Sequence, residues 1–450
     1  MSLGLRMDYK ALFVYWQYLD VESLKHNLLP AVWYDHAQPP FFNLLLGVIV
    51  KISGTAAPVV FEVFFKLITL VNCCLLLTIL KKVSTNKYIP VVITLAYMLS
   101  PGVLIFETEL FYTTFISLLM LISTYFLFAF DMKRTMKNSL GIFIPLALLC
   151  LTRSMYHLLW LVPVSVITIF YYKNKTGFRQ VVIAASIAVF LVTGWYIKNQ
   201  IIFHSFGSST WIGMNLARNV FHDNEIADST QIMSIEPFSK ISLYKNFIPE
   251  DYDAKFRGLN DRDLLQEFKN DSFVNENHVE YIEISKKYLD ASKSYIKSHP
   301  TAYVQNVFQS GIIFFTSAAV YPFALEPSKK ILYYDILAGF NLTHFAKDKQ
   351  QRRILLTISA VPKLLLYFFV FGTLVIHVFN NSRRKFFELK LPVIIIACTI
   401  GFVFIVSSLL EHFENMRFRY EIEPLFLILL GLVIQQRLDR KKSKPTNGLT

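Results

Sequence analysis

The residues of this chain that could move a proton or hold an anion stand in a few short stretches, each beside an apolar block. Asp8, Asp20, Asp35 and His36 precede the first block, and Glu107-Thr108-Glu109 separates two others. Arg153 interrupts a further one, and Arg417 and Arg419 follow Glu411 and Glu414 just before the last. A carboxylate at a membrane surface can take a proton from a hydroxyl. An arginine fork meets phosphate through two parallel hydrogen bonds and stabilises charge that develops on a leaving group. Charges this close to lipid are expensive and are often functional. Glu107 and Glu109 also offer the oxygen ligands that a divalent cation such as Mg or Mn prefers.

Each of these has a plainer alternative. Asp35 and His36 could belong to an interfacial turn before a helix, with Asp35 as its cap. Arg153 could extend its stem to the headgroups. Arg417 and Arg419 could pair with Glu411 or Glu414, and Glu107-Thr108-Glu109 could be a solvated turn. Glu62 and Lys66 stand four apart and should pair with each other. Asp251-Tyr252-Asp253 and Asp261-Arg262-Asp263 have the D-x-D form, but they fall in a charge-rich stretch without a βαβ pattern, so a solvated loop explains them. The sequons at Asn270 and Asn341 are what chance supplies in a chain this rich in Asn.

The elements that must position these groups are apolar blocks. Of 450 residues, 54% are hydrophobic and 15% aromatic, and the mean hydropathy is +0.43. A soluble domain is about 45–50% apolar. The excess sits in blocks of the length needed to cross about 30 Å of hydrocarbon: Pro58–Leu80, Ile89–Phe106, Phe111–Phe130, Gln180–Ile202, Thr357–Phe379, Leu391–Leu410 and Ile422–Gln436. Leu140–Tyr172 is too long for one span and is broken at Arg153, which predicts two short spans meeting there. Lipid leaves the backbone no partner but itself, so all are expected to be helices. The four cysteines, Cys73, Cys74, Cys150 and Cys398, lie inside these blocks with neither a disulfide nor a zinc spacing. The net charge of +13 concentrates in loops between blocks, which points to membrane orientation and away from nucleic acid.

Lys81, Lys82 and Lys87 share one loop, and Lys133, Arg134 and Lys137 the next but one. Lys173, Lys175 and Arg179 follow, then Arg383, Arg384, Lys385 and Lys390, then a basic tail from Arg437. The alternating loops Phe106–Leu110, Thr152–Ser154 and Glu411–Arg419 carry only Arg153, Arg417 and Arg419. Excess positive charge marks the cytoplasmic side, so these three loops, Phe203–Arg353 and everything before Pro58 are expected outside. Phe41–Ile52 is too short to cross and is expected to be a surface helix, and Tyr303–Tyr321 an interfacial or re-entrant one. An outside Met1 without a leader implies a spanning helix upstream of it. The resulting organisation is an extracytoplasmic first loop (1–57), an N-terminal bundle (58–202), an extracytoplasmic, mostly helical region (203–355), C-terminal spans (356–437) and a basic cytoplasmic tail (438–450).

The most specific local pattern is His36-Ala37-Gln38-Pro39-Pro40-Phe41-Phe42-Asn43-Leu44-Leu45. It resembles the His-Pro-Pro-aromatic-x-x-Leu-Leu signature of the bacterial relatives of dolichyl-phosphate-mannose protein mannosyltransferases. These are the glycosyltransferase family 39 and RgtA/B/C/D-like proteins, which have the GT-C fold. Ala37 and Gln38 are two residues more than that signature has. Further likenesses follow in order: Leu151-Thr152-Arg153, Trp195-Tyr196-Ile197-Lys198-Asn199 with Phe206-Gly207, His299-Pro300-x-x-Tyr303, and Arg417-Phe418-Arg419-Tyr420 with Pro424. The resemblance implies an all-α polytopic GT-C-like bundle in a plasma membrane, bacterial in the resembled proteins, with its site facing outward. It implies an inverting transfer of a hexose or pentose from a polyprenyl- or dolichyl-phosphate donor to a glycan, lipid or protein acceptor. In that reading Asp8, at about the family's distance before the prolines, is the candidate base, with Asp20, Asp35 and Glu107 as its rivals, and Asp35 and His36 belong to the catalytic set. Arg153, Arg417 and Arg419 clamp the donor phosphate, and Glu107 and Glu109 are the second acidic site. A transporter or flippase is the competing class, although such proteins show paired repeats and broken spans with polar residues at mid-depth. A non-catalytic membrane scaffold is the third, and it needs no convergent acids and arginines.

Overall fold

The computed structural model describes residues 4–221, 264, 266, 268–269, 273–321, 325–380 and 391–442. Three short helices come first: α1 (Ala11–Val14), α2 (Val21–His26) and α3 (Leu28–Tyr34). They are followed by α4 (Pro40–Ser53), which starts where the proline pair predicts: Pro39 caps it in extended conformation and Pro40 takes the first helical position, where a missing N–H costs nothing. Gly54, at φ +52° and ψ −122°, ends it in a conformation that a side chain would resist. One turn of 3₁₀ helix, Gly54–Ala56, then leads into α5 (Ala57–Val83).

The second expected span, Ile89–Phe106, is two helices, α6 (Tyr88–Met98) and α7 (Pro101–Phe106). Pro101 cannot continue a helical ladder. The Ser100 hydroxyl accepts the Val103 N–H at 3.3 Å and starts a new helix. Then come α8 (Thr113–Met132), α9 (Met136–Cys150), α10 (Leu158–Tyr172) and α11 (Phe178–Phe203). The break between α9 and α10 holds Arg153, and His157 begins α10 by accepting the Leu159 N–H through Nδ1 at 3.3 Å.

Beyond the bundle lie α12 (Ile212–Phe221), α13 (Tyr281–Ser298) and α14 (Pro300–Phe314), with a two-residue antiparallel pairing of Phe268–Lys269 and Phe273–Val274. The small helices α15 (Leu325–Lys330) and α16 (Leu332–Ala338) lead to the last three, α17 (Lys349–Asn380), α18 (Leu391–Leu410) and α19 (Asn415–Lys442). Asp251, Asp253, Asp261, Asp263, Asn270, Arg383, Arg384, Lys385 and Lys390 lie outside the described residues.

Among the described residues, five helical stretches are long and apolar enough to cross a bilayer: Pro40–Val83, Thr113–Met132, Phe178–Phe203, Lys349–Ile376 and Leu391–Leu410. Their outer faces are apolar as well. Val59, Val63 and Leu70 on α5 and Leu365 and Phe368 on α17 are more than half exposed, a band that water would penalise and lipid would not. The chain is an all-α membrane protein. Its core is continuous across the bundle, with α8 at the centre against α5, α9 and α19.

The two ends of the bundle differ in charge. At one end the basic loops meet: Ser84 donates to the Gln435 carboxamide at 2.8 Å, Lys82 reaches Met132, and Arg134 bonds Thr176. At the other end, the loops before α8, before α10 and before α19 converge. Glu62 and Lys66 on α5 pair at 2.5 Å.

Candidate functional site

The α9–α10 break, the start of α8 and the elbow between α18 and α19 bring four of the sequence stretches to one cavity of about 350 Å³. Gln38 comes from the proline motif, Arg153 to Met155 and His157 from the α9–α10 turn, Phe206 and Gly207 from the exit of α11, and Glu411, Glu414, Arg417 and Phe418 from the elbow. Trp16 and Gln17 from the first loop and Asn215 and Arg218 from α12 complete the polar lining. One wall is apolar: Leu159 on α10 and Phe402, Val406 and Leu410 on α18. Leu159 is largely exposed, so this wall continues onto the lipid-facing surface.

Arg153 and Arg417 are held differently. Arg153 is ion-paired with Glu421, a fully buried carboxylate whose other oxygen accepts the Tyr156 hydroxyl at 3.2 Å. Arg417 bonds Glu414 through Nη2, while its Nε and Nη1 have no partner among the described residues, although the residue is 2% exposed. Both cations lie near the rings of Phe418 and Tyr112. The Arg153 guanidinium is 3.7 Å from the Phe418 ring centre and 5.3 Å from that of Tyr112, and Arg417 is 5.4 and 5.6 Å from the same rings. Ring faces attract each cation. Arg218 approaches Glu411 at 3.4 Å and Glu414 at 3.7 Å. Burial alone would raise the Glu414 pKa, but Arg417 and Arg218 outweigh it and hold the carboxyl below its ordinary value.

Several residues singled out in the sequence do not line this cavity, and each departure has a physical reason. Arg419 is two residues beyond Arg417, about 200° around the helix, so it faces α17; it bonds Glu423 at 2.8 Å and reaches the Thr316 carbonyl at 3.4 Å. Asp8 is exposed, and its carboxylate accepts the Lys10 N–H at 3.0 Å. Asp20 caps α2. Asp35 is buried and accepts the Gln38 N–H at 3.0 Å and the Asn43 amide at 2.8 Å. His36 is fully buried, with Nδ1 2.9 Å from the Thr210 hydroxyl and Nε2 3.0 Å from the Asn277 carbonyl. Burial lowers its pKa to about 3, so the ring is neutral at physiological pH and clamps the first loop to the start of α12.

Glu107 and Glu109 point to different neighbours. Glu107 is nearest in charge to Lys66 of α5. Glu109 turns inward, where Tyr15 donates to it at 3.4 Å and Arg417 is its main opposite charge. Burial, opposed by Arg417, pushes the Glu109 pKa up to about 7. Among the described residues no group of three His, Cys, Asp or Glu side chains is placed to hold a metal ion.

Sequence reasoning passed over Glu421, Arg218, Gln17 and Gln38. Glu421 had a signal: an acid at the very edge of an apolar block needs a partner, and Arg153 was the cation that interrupts another. Comparison with models of known protein families, with curated proteins and with solved structures found no match.

Proposed function

We propose that the chain is a membrane glycosyltransferase that takes a sugar from a polyprenyl- or dolichyl-phosphate donor and passes it to a hydroxyl acceptor on the outer face. The observation that carries this reading is Arg417. Two of its guanidinium nitrogens are buried without a partner among the described residues, in a cavity that also holds Arg153 and Arg218 and opens along an apolar wall. Buried donors normally find acceptors; a phosphate would supply them bidentately, and the apolar wall suits the lipid that carries it. Two of the three Lys- and Arg-poor loops expected outside, Thr152–Ser154 and Glu411–Arg419, line this cavity.

In this reaction the acceptor oxygen attacks the anomeric carbon, the anomeric C–O bond to phosphate breaks, and the lipid phosphate leaves with the electron pair. The acceptor proton passes to a carboxylate. Glu411 and Glu414 are the carboxylates that line the cavity. Glu414 is held ionised by two arginines and is a weak base, so Glu411 takes the role here and Asp8 becomes its rival.

The test is transfer from a radiolabelled polyprenyl-phosphate sugar by the purified protein. Arg417→Gln should weaken donor binding and slow transfer together, since it removes a charge that meets phosphate in ground and transition states alike. Glu414 keeps Arg218 in that variant, so the fold should survive. Glu411→Gln should lower turnover by about 10²-fold or more with donor binding kept. Loss in Asp8→Asn with near wild-type turnover in Glu411→Gln moves the base to Asp8. Full activity in all three variants refutes the site and favours a transporter.

A further inference from the structure

The same cavity holds a second set of polar groups that a phosphate does not explain. Gln17 and Gln38 line it, and each is 8% exposed. Neither carboxamide makes a hydrogen bond to any described residue. Their backbones, by contrast, are tied to one point. Asn43 donates to the Gln17 carbonyl at 3.1 Å and to Asp35 at 2.8 Å, and Asp35 accepts the Gln38 N–H at 3.0 Å. The Phe41 N–H, one residue past the proline pair, bonds the Leu151 carbonyl at 2.8 Å, two residues before Arg153. Two unbonded amides are thus held rigidly against a chamber whose cations sit on the adjoining turn. The carboxamides keep their hydrogen-bonding groups free for whatever fills the chamber, and polar groups placed this way in a cavity usually orient a ligand.

Trp16 completes the set. It lines the cavity, and one face of its indole is stacked on Trp211, with ring centres 4.1 Å apart and planes within 15°. Trp211 is in turn backed by Tyr281 at 5.7 Å. The stack fixes the ring, so its remaining surface is a flat, preorganised platform.

From this arrangement we infer that Trp16, Gln17 and Gln38 form a saccharide subsite that receives the sugar ring of a neutral glycosyl donor, beside the arginines that receive its phosphate. The C–H face of a pyranose matches a flat indole. Sugar hydroxyls both donate and accept, as carboxamides do. A carboxylate or ammonium on the ring would need an opposite charge that this set lacks. The subsite rests on the donor class proposed above, and it assigns a different part of the donor to different residues.

The experiment uses the full chain in lipid nanodiscs and measures affinity for a short polyprenyl phosphate and for the same lipid carrying mannose, glucose, a uronic acid or an aminopentose. Wild type should bind at least one neutral glycolipid about tenfold or more tighter than the bare lipid phosphate, the yield of one or two hydrogen bonds plus an aromatic contact. Gln17→Met and Gln38→Met remove no bond within the described protein, so the fold should be kept. They should bring that ratio toward one without changing affinity for the bare lipid. Trp16→Phe should lose part of the preference and Trp16→Leu most of it. A wild-type ratio near one for both neutral sugars, a ratio unmoved in the glutamine variants, or tighter binding of a charged sugar overturns the subsite. Bare lipid phosphate that binds without sugar preference refutes the subsite alone. Preference for the glycolipid in a protein that ignores bare lipid phosphate refutes the arginine clamp alone. Binding of no probe refutes both.

Discussion

Glu109→Gln should remove a loss of stability that the wild-type protein suffers as pH rises from about 5 to about 8. The Glu109 carboxyl is 8% exposed, and burial, opposed chiefly by Arg417, raises its pKa from 4.5 to about 7. The folded protein therefore holds this proton more tightly than the unfolded chain does. Its contribution is complete below the unfolded value and fades as pH rises through about 7. The difference between the two pKa values, 2.5 units from 4.5 to about 7, corresponds to about 3 kcal/mol at 1.36 kcal/mol per unit. The side chain is too buried for solvent screening to remove most of that. Denaturant unfolding of the purified protein in detergent across this range should show wild type losing up to about 3 kcal/mol relative to Glu109→Gln. A second readout follows from the contact with Arg417. Ionised Glu109 competes for that guanidinium, so affinity for a polyprenyl phosphate should fall above neutral pH in wild type and stay flat in the variant. Parallel stability curves for the two proteins would refute both the buried carboxyl and its coupling to Arg417.

Arg153→Met leaves the buried Glu421 carboxylate with only Tyr156 and should cost about 3–5 kcal/mol. Arg153→Met combined with Glu421→Gln should cost clearly less than the sum of the two single changes, and strict additivity in unfolding measurements would deny the pair. Asp35→Ala removes the acceptor for the Gln38 N–H and the Asn43 amide and should destabilise by about 2–3 kcal/mol. If Asp35→Asn instead folds with wild-type stability and loses transfer, Asp35 acts in the chemistry. Gly213→Val would drive a side chain into the Ser285 carbonyl where α12 crosses α13; the expected cost is about 1–3 kcal/mol, and an unchanged thermal midpoint would show that the crossing is loose.

The fold was legible where one physical rule acted alone. Apolar length marked α8, α11 and α18, and the proline pair marked the start of α4 to within one residue. The interruption at Arg153 marked the break between α9 and α10, because a charge cannot sit in mid-helix facing lipid. It was less legible where a local rule cut an apolar block. Ile89–Phe106 reads as one span by hydropathy, and only Ser100-Pro101 inside it shows that the ladder stops and restarts.

The site was legible by segment and much less by residue. The turn at Arg153, the exit of α11, the proline motif and the elbow at Arg417 all reach the cavity, because a chain that must place charges next to lipid has few positions outside the hydrocarbon in which to do so. Which acid or amide within a segment faces the cavity depends on helical phase and on partners far away in sequence. Arg417 and Arg419 are equivalent by composition and opposite by phase. Asp35 and His36 look reactive because they are polar beside an apolar helix, yet that position is also where a loop needs anchoring, and Asn43, Thr210 and Asn277 absorb them. Gln17 and Gln38 look inert because amides are common in loops; only the missing partners distinguish them, and a missing partner is a property of three dimensions. The two extra residues that make the proline motif depart from its resembled signature are Ala37 and Gln38, and Gln38 is the one that lines the cavity. If that insertion serves a sugar ring, removing it should cost sugar preference before it costs phosphate affinity, and a deletion of Ala37 and Gln38 that lowered both equally would show that the insertion only shapes the loop.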